Sequence, residues 1–253
     1  MSPAWGLRRA VARRFREPAA QAGDPGHAAR LATYLGDLLE PYALGAPGGM
    51  AGGQSYGEMA AALLPDEPVD ALVLAYDIPD VEPGRATATW LSHVCPGGPM
   101  ALSVSDQGRA GAHTALRLLR DYAGSGTYER ALLVVAEQSA LPYEPGVPAE
   151  VPAEHCAVAL HLGPSTVEVA RPRIVRGAGP HDVVDLLGEA GGATVVLGGH
   201  LAGVGVKADR VVLADPAQPM TGVWEALASV DGPAVVADFD PALGYLCVSA
   251  FGC

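Results

Sequence analysis

Strand-sized apolar runs alternate with amphipathic segments from residue 69 almost to the end of the chain, and this alternation restricts the fold more than any single residue does. Val69–Tyr76 is an apolar run between Pro68 and Pro79, the pattern of a strand buried on both faces. The pattern predicts a helix over Gly84–His93, a short strand at Met100–Val104, a helix over Gly111–Tyr122 and a buried strand at Ala131–Ala136. After the proline-rich loop Pro142–Pro152, Cys156–Leu162 and Val167–Val175 read as an antiparallel pair. A second series follows, with helices at His181–Glu189 and Gly222–Ser229 and strands at Thr194–Leu197, Arg210–Leu213, Ala234–Ala237 and Tyr245–Ala250. Two unequal α/β halves, each with a largely parallel sheet covered on both faces, are the expectation.

The 253 residues are 49% hydrophobic, enough for a large buried core, and the formal net charge of −12 argues against wrapping a nucleic-acid backbone. Cys95, Cys156, Cys247 and Cys253 are scattered without Cys-x-x-Cys or zinc-finger spacing, so no metal site is expected. The glycines around Gly198, Gly199, Gly203 and Gly205 do not follow Gly-x-Gly-x-x-Gly, so no dinucleotide or other cofactor is expected. The basic start lacks a following apolar core and no run is long enough to span a bilayer, which points to a cytoplasmic protein with no membrane partner. Leu7, Val11 and Phe15 recur at spacing four among Arg8, Arg9, Arg13, Arg14 and Arg16. That spacing predicts a short basic amphipathic helix, a solvated face or a docking patch for an acidic partner, followed by a loop over Leu44–Gln54.

The stretch Val69-Asp70-Ala71-Leu72-Val73-Leu74-Ala75-Tyr76-Asp77-Ile78-Pro79-Asp80, then Ala101–Val104 and Gly111-Ala112-His113-Thr114-Ala115-Leu116, resembles the thiolase superfamily and within it the type III ketoacyl synthases. The resemblance runs over about Tyr56 to Phe251 and implies a truncated five-layer αβαβα fold. It divides the chain into a basic N-terminal piece (1–55), a first thiolase-like half (56–176) without a clear first strand before Tyr56, and a shortened second half (177–253). In that family a cysteine opens the buried helix, where the helix N-terminus stabilises a thiolate and then an oxyanion. Gly108 or Arg109 holds that position here, depending on whether the strand or the helix sets the register. The family's histidine corresponds to His200, its asparagine has no counterpart because the chain contains none, and its glycine-rich oxyanion turn is replaced by Asp240 and Pro241.

The resemblance therefore implies a non-condensing subunit, similar to the chain-length factors that carry glutamine at the nucleophile position; Gln107 lies two residues early for that match. It implies pairing with a cysteine-bearing ketosynthase, or with itself, in polyketide, fatty-acyl or other specialised-metabolite assembly on acyl carrier protein or acyl-CoA. A competing reading keeps catalysis: Ser105 and Asp106 with His200 as an acyltransferase or thioester-hydrolase site. Against it, Ser105-Asp106-Gln107 also reads as a polar turn in which Asp106 caps the helix that starts near Arg109.

Overall fold

The computed structural model describes residues 4–17, 19, 23–44, 54–82, 86–141, 144–146, 149–188 and 191–253. The glycine- and proline-rich stretch expected to loop, 45–53, lies outside the described residues, as do 83–85 at the start of the helix expected from Gly84, parts of the loop after residue 141, and 189–190.

The first half comprises β1 (Ala4–Phe15), α1 (Pro25–Leu39), α2 (Tyr56–Ala61), β2 (Ala71–Ala75), α3 (Thr87–Val94), β3 (Met100–Val104), α4 (Ala110–Gly124), β4 (Ala131–Glu137) and β5 (His155–Ser165). The second comprises β6 (Arg173–Arg176), α5 (Val183–Leu187), β7 (Thr194–Leu197), β8 (Arg210–Leu213), α6 (Gly222–Leu227), β9 (Ala234–Asp240) and β10 (Tyr245–Phe251). One sheet has the order β1-β5-β4-β2-β3 and the other β6-β10-β9-β7-β8. Within each, the two pairings of the central strands are parallel and the two made by the last strand are antiparallel. The halves thus share one topology, with the same strand order and the same parallel and antiparallel pairings.

Two-residue alternation sorts the strands' side chains into separate cores. Ala71, Val73 and Ala75 of β2 and Leu133 and Val135 of β4 face a central layer together with Val196 and Val236 of the other sheet. Leu72, Leu74, Leu132 and Val134 face an outer layer of α2 and α3, and Val195, Leu197, Val235 and Ala237 face α5. Helices α4 and α6 fill the centre, with Trp224 and Leu116 fully buried there. His113 of α4 stacks on Trp224 at 4.8 Å and bonds Ser249 through Nδ1 at 2.8 Å; its burial pushes its pKa down to about 3. Helix, sheet, helix, sheet, helix is the five-layer arrangement expected. Among the described residues no helix is long and apolar enough to cross a membrane.

Several expectations are corrected. The basic N-terminal segment is a strand, not a helix: β1 runs antiparallel to β5 from Ala4 opposite Ser165 to Phe15 opposite His155. Leu7, Val11 and Phe15 at spacing four satisfy a two-residue period as well as a helical one, and the neighbouring strand decides between them. The first half therefore does own a first strand before Tyr56, at the edge of its sheet beside β5. Four of the arginines in this segment have partners within the chain. Arg14 reaches Glu154, Asp215 and Glu225 at 2.7–2.8 Å, Arg16 reaches Glu154, Arg8 reaches Glu67, and Arg13 lies over the Phe15 ring. Finally, Cys156–Leu162 does not pair with 167–175; β5 lies between β1 and β4, and β6 pairs with β10.

Helix α1 has no counterpart in the sequence reading. Its signals are Asp24 accepting from the Gly26 amide, Pro25 at the first turn, and a stripe of Leu31, Leu35 and Leu39, all buried.

Candidate functional site

Three acidic side chains at the ends of β4 and β9 are aimed inward by the same alternation that builds the core. Glu137 follows Leu133 and Val135 on the inner face of β4, and Asp238 and Asp240 follow Ala234 and Val236 on the inner face of β9. Two of them, Glu137 and Asp240, meet the start of a central helix. Asp240 Oδ2 accepts from the Arg109 amide at 3.0 Å at the N-cap of α4, and Asp77, just past β2, accepts from the Gly108 amide at 2.9 Å. Glu137 accepts from the Met220 and Thr221 amides at 2.6 and 2.7 Å, immediately before α6, and from the Thr221 hydroxyl. Carboxylates on free helix amides are favourable electrostatically, since the N-terminal end carries partial positive charge.

The amides at the α4 terminus are therefore already bonded from within the chain. Asp240 is nearly buried, its second oxygen accepts from the Leu243 amide at 2.9 Å, and its turn is tightened by Pro241. Gly108 has φ of +50°, and a Cβ there would stand 2.0 Å from Asp240 Oδ2. No side chain fits at Gly108 while Asp240 holds its place. Asp106, also left-handed at φ +59°, does not cap the helix as expected; its carboxylate accepts from the Ser105 hydroxyl at 2.7 Å, while Asp77 and Asp240 reach the amides. Gln107 turns away to accept from Thr114 at 2.7 Å.

Arg109 bridges the halves. Its Nη1 donates to the Pro219 carbonyl at 2.6 Å and lies 3.5 Å from Asp238 Oδ1, and its Nη2 donates to Glu150 Oε2 at 2.6 Å. Glu150 Oε1 in turn lies 2.8 Å from His200 Nε2. His200, on a single turn at Gly199–Leu201 after β7, is thus joined to Arg109 through one carboxylate. Asp238 is buried, and Gly198 leaves room for it: a Cβ there would be 2.0 Å from Asp238 Oδ1. Burial lifts its pKa to about 7, against the lowering effect of Arg109.

Arg109 lines a cavity of about 720 Å³ between the halves, together with Asp77, Asp106, Glu137, Glu150 and Asp240. No cysteine lines it. Cys156 is buried in β5 with its thiol pushed up to about 12 by burial, and burial raises the Cys95 and Cys247 thiols as well. Ser105 lines a neighbouring cavity of about 430 Å³ walled by Tyr34, Tyr56 and Tyr76, which Asp106 also touches. His200 bonds Glu150 rather than Ser105 or Asp106, so the serine, the aspartate and the histidine are not linked in one chain of hydrogen bonds. Among the described residues no group of three or more His, Cys, Asp or Glu could hold a metal ion.

Sequence reasoning missed Glu150, Asp238, Asp77 and Glu137. Asp238 and Asp240 alternating with Val236 on an apolar strand was a readable signal for two inward carboxylates. Nothing near Glu150 marks it, because it stands on an irregular segment.

No family model matches the chain, and no curated protein matches it. Solved structures do. A 3-oxoacyl-(acyl carrier protein) synthase III from Pseudomonas aeruginosa PAO1 is similar over 98% of each chain, with a TM-score of 0.63 and 15% identity. ChlB3, an acyltransferase, is similar over 98% of this chain and 97% of its own at a TM-score of 0.62 and 14% identity. AbyA1, a tetronic acid condensing enzyme, is similar over 99% of this chain and all of its own at 0.60 and 16%.

Proposed function

The chain has the thiolase-like α/β fold of these ketosynthase-like structures, and we propose that it is a non-condensing subunit of that kind. In this reading it pairs with a cysteine-bearing ketosynthase in the cytoplasm, in polyketide, fatty-acyl or other specialised-metabolite assembly. The observation that carries it is the Asp240 carboxylate on the Arg109 amide. An acyl transferase of this fold needs that helix end for a nucleophile and for developing negative charge. A carboxylate there occupies the donor and repels an oxyanion. The crowding at Gly108 and the acidic cavity wall work in the same direction.

Pairing has a place to occur. Strand β3 is the edge of its sheet, with Met100 and Ser103 exposed, and its outer backbone groups can extend the sheet into a partner. The acyl setting rests on the similar structures, among them a 3-oxoacyl-(acyl carrier protein) synthase III and a priming β-ketosynthase of a polyketide pathway. Co-expression with the ketosynthase encoded nearby, followed by size-exclusion chromatography and a condensation assay, tests the reading. A complex whose condensing activity depends on this chain is expected. A stable monomer without effect on any neighbouring ketosynthase ends it.

A second reading, transfer or hydrolysis of acyl groups from carrier protein or CoA thioesters by Ser105, Asp106 and His200, is favoured by one contact, the exposed Ser105 hydroxyl donating to Asp106. It requires His200 to leave Glu150.

A further inference from the structure

Arg109 is shared between two carboxylates in opposite surroundings. Glu150, about half exposed, stands on residues 149–152, which line the large cavity, and holds Arg109 with one oxygen and His200 with the other. Asp238 lies behind Arg109, buried, with Oδ1 accepting from the Phe239 amide and Oδ2 bonded to nothing. A buried carboxyl with one oxygen unpaired and one cation at 3.5 Å is stable as a neutral acid, and on ionising it has a single group to turn to.

We propose that Asp238 is a pH-sensitive latch on the cavity: neutral, it leaves Arg109 to Glu150 and the 149–152 segment is held closed; ionised, it draws Arg109 inward and frees Glu150 and His200. The proton leaves to solvent and no other covalent bond changes. The groups facing Asp238 are Arg109 from α4, Glu137 from β4, Asp240 on its own strand, Cys247 directly opposite on β10, and the Gly198 backbone that leads to His200. Only Arg109 among them is a cation in contact, and the acids resist ionisation, which places the change near neutral pH. The latch does not depend on the subunit reading, because it concerns access to the cavity whatever enters it.

Hydrogen exchange read by mass spectrometry, corrected for intrinsic rates, tests it on the intact chain at pH 6 and pH 8. The reporters are the amides of Ala153 and Glu154, which donate to the Ala217 carbonyl and to Gln218 beside the segment. A group titrating at about 7 goes from mostly neutral to mostly ionised over that range, so protection falls about tenfold in the wild type. Asp238→Asn keeps the high protection at both pH values, Glu150→Gln is low at both, and His200→Gln retains the wild-type dependence. Equal protection at pH 6 and 8 in the wild type overturns the proposal without any variant. So does a dependence that survives in Asp238→Asn or vanishes in His200→Gln, which would make the histidine the titrating group.

Discussion

Glu137 and Asp240 end the equivalent seven-residue strands of the two sheets, and each carboxylate caps the approach to the central helix of the opposite half. The repeat is thus clasped reciprocally: β4 holds the start of α6 and β9 holds the start of α4. In each case a carboxylate answers amides that a helix leaves unbonded.

Removing one clasp should cost about 1 kcal/mol or somewhat more, in the range of lost N-terminal caps, with an added penalty where the amide stays buried. Asp240→Ala and Glu137→Gln each lower the midpoint of urea unfolding, and their effects add, since they act on different helices. Asp240→Ala leaves the protein without acyl-transfer activity, because no nucleophile is restored.

Gly108→Cys should fail to rebuild a ketosynthase. The new Cβ collides with Asp240 and adopts a left-handed backbone, together costing about 2 to 4 kcal/mol. The single variant unfolds earlier and takes no acyl group from acyl-CoA. Gly108→Cys with Asp240→Gly recovers part of the stability, and iodoacetamide then labels the thiol.

Asp238 and His113 give opposite pH trends. The Asp238 carboxyl titrates higher in the folded chain, so its contribution is complete below the unfolded value near 4 and is lost as pH rises to about 7. His113 titrates lower when folded, so its contribution is present above about 6.5 and is lost as pH falls toward 3. Asp238→Asn removes the first slope and His113→Phe the second, each on the order of a few kcal/mol across its window. Unfolding free energies measured from pH 4 to pH 8 separate them.

Charge placed on the β3 edge should prevent pairing without unfolding the chain. Met100→Asp with Ser103→Asp leaves the circular dichroism spectrum intact while any dimer or ketosynthase complex seen by light scattering dissociates. A complex that persists places the interface elsewhere.

Ser105 should stay unmodified. Incubation with short and long acyl-CoAs followed by intact-protein mass spectrometry gives no adduct if the chain is a non-condensing partner. An adduct that disappears in Ser105→Ala favours the serine reading instead.

The apolar runs by themselves determined β2, β4, β7 and β9, because a strand buried on both faces needs a short uninterrupted hydrophobic stretch and little else. The absence of asparagine from the chain, and the Gly108-Arg109 pair ahead of the central helix, were equally legible, since they are facts of composition and order. Helix or strand at Leu7–Phe15 was not decided locally: residues four apart share a face in both, and only pairing with β5 made it a strand. The same holds for the site. His200 was singled out for its place after an apolar strand, but its link to Arg109 runs through Glu150, fifty residues away on an irregular segment, and Asp240 reaches Arg109 from 131 residues away. Local pattern fixes which face a side chain takes along its strand. Which groups then meet across the two halves is set by how the sheets pack around α4 and α6, and that packing puts the Asp240 carboxylate on the Arg109 amide at the start of α4.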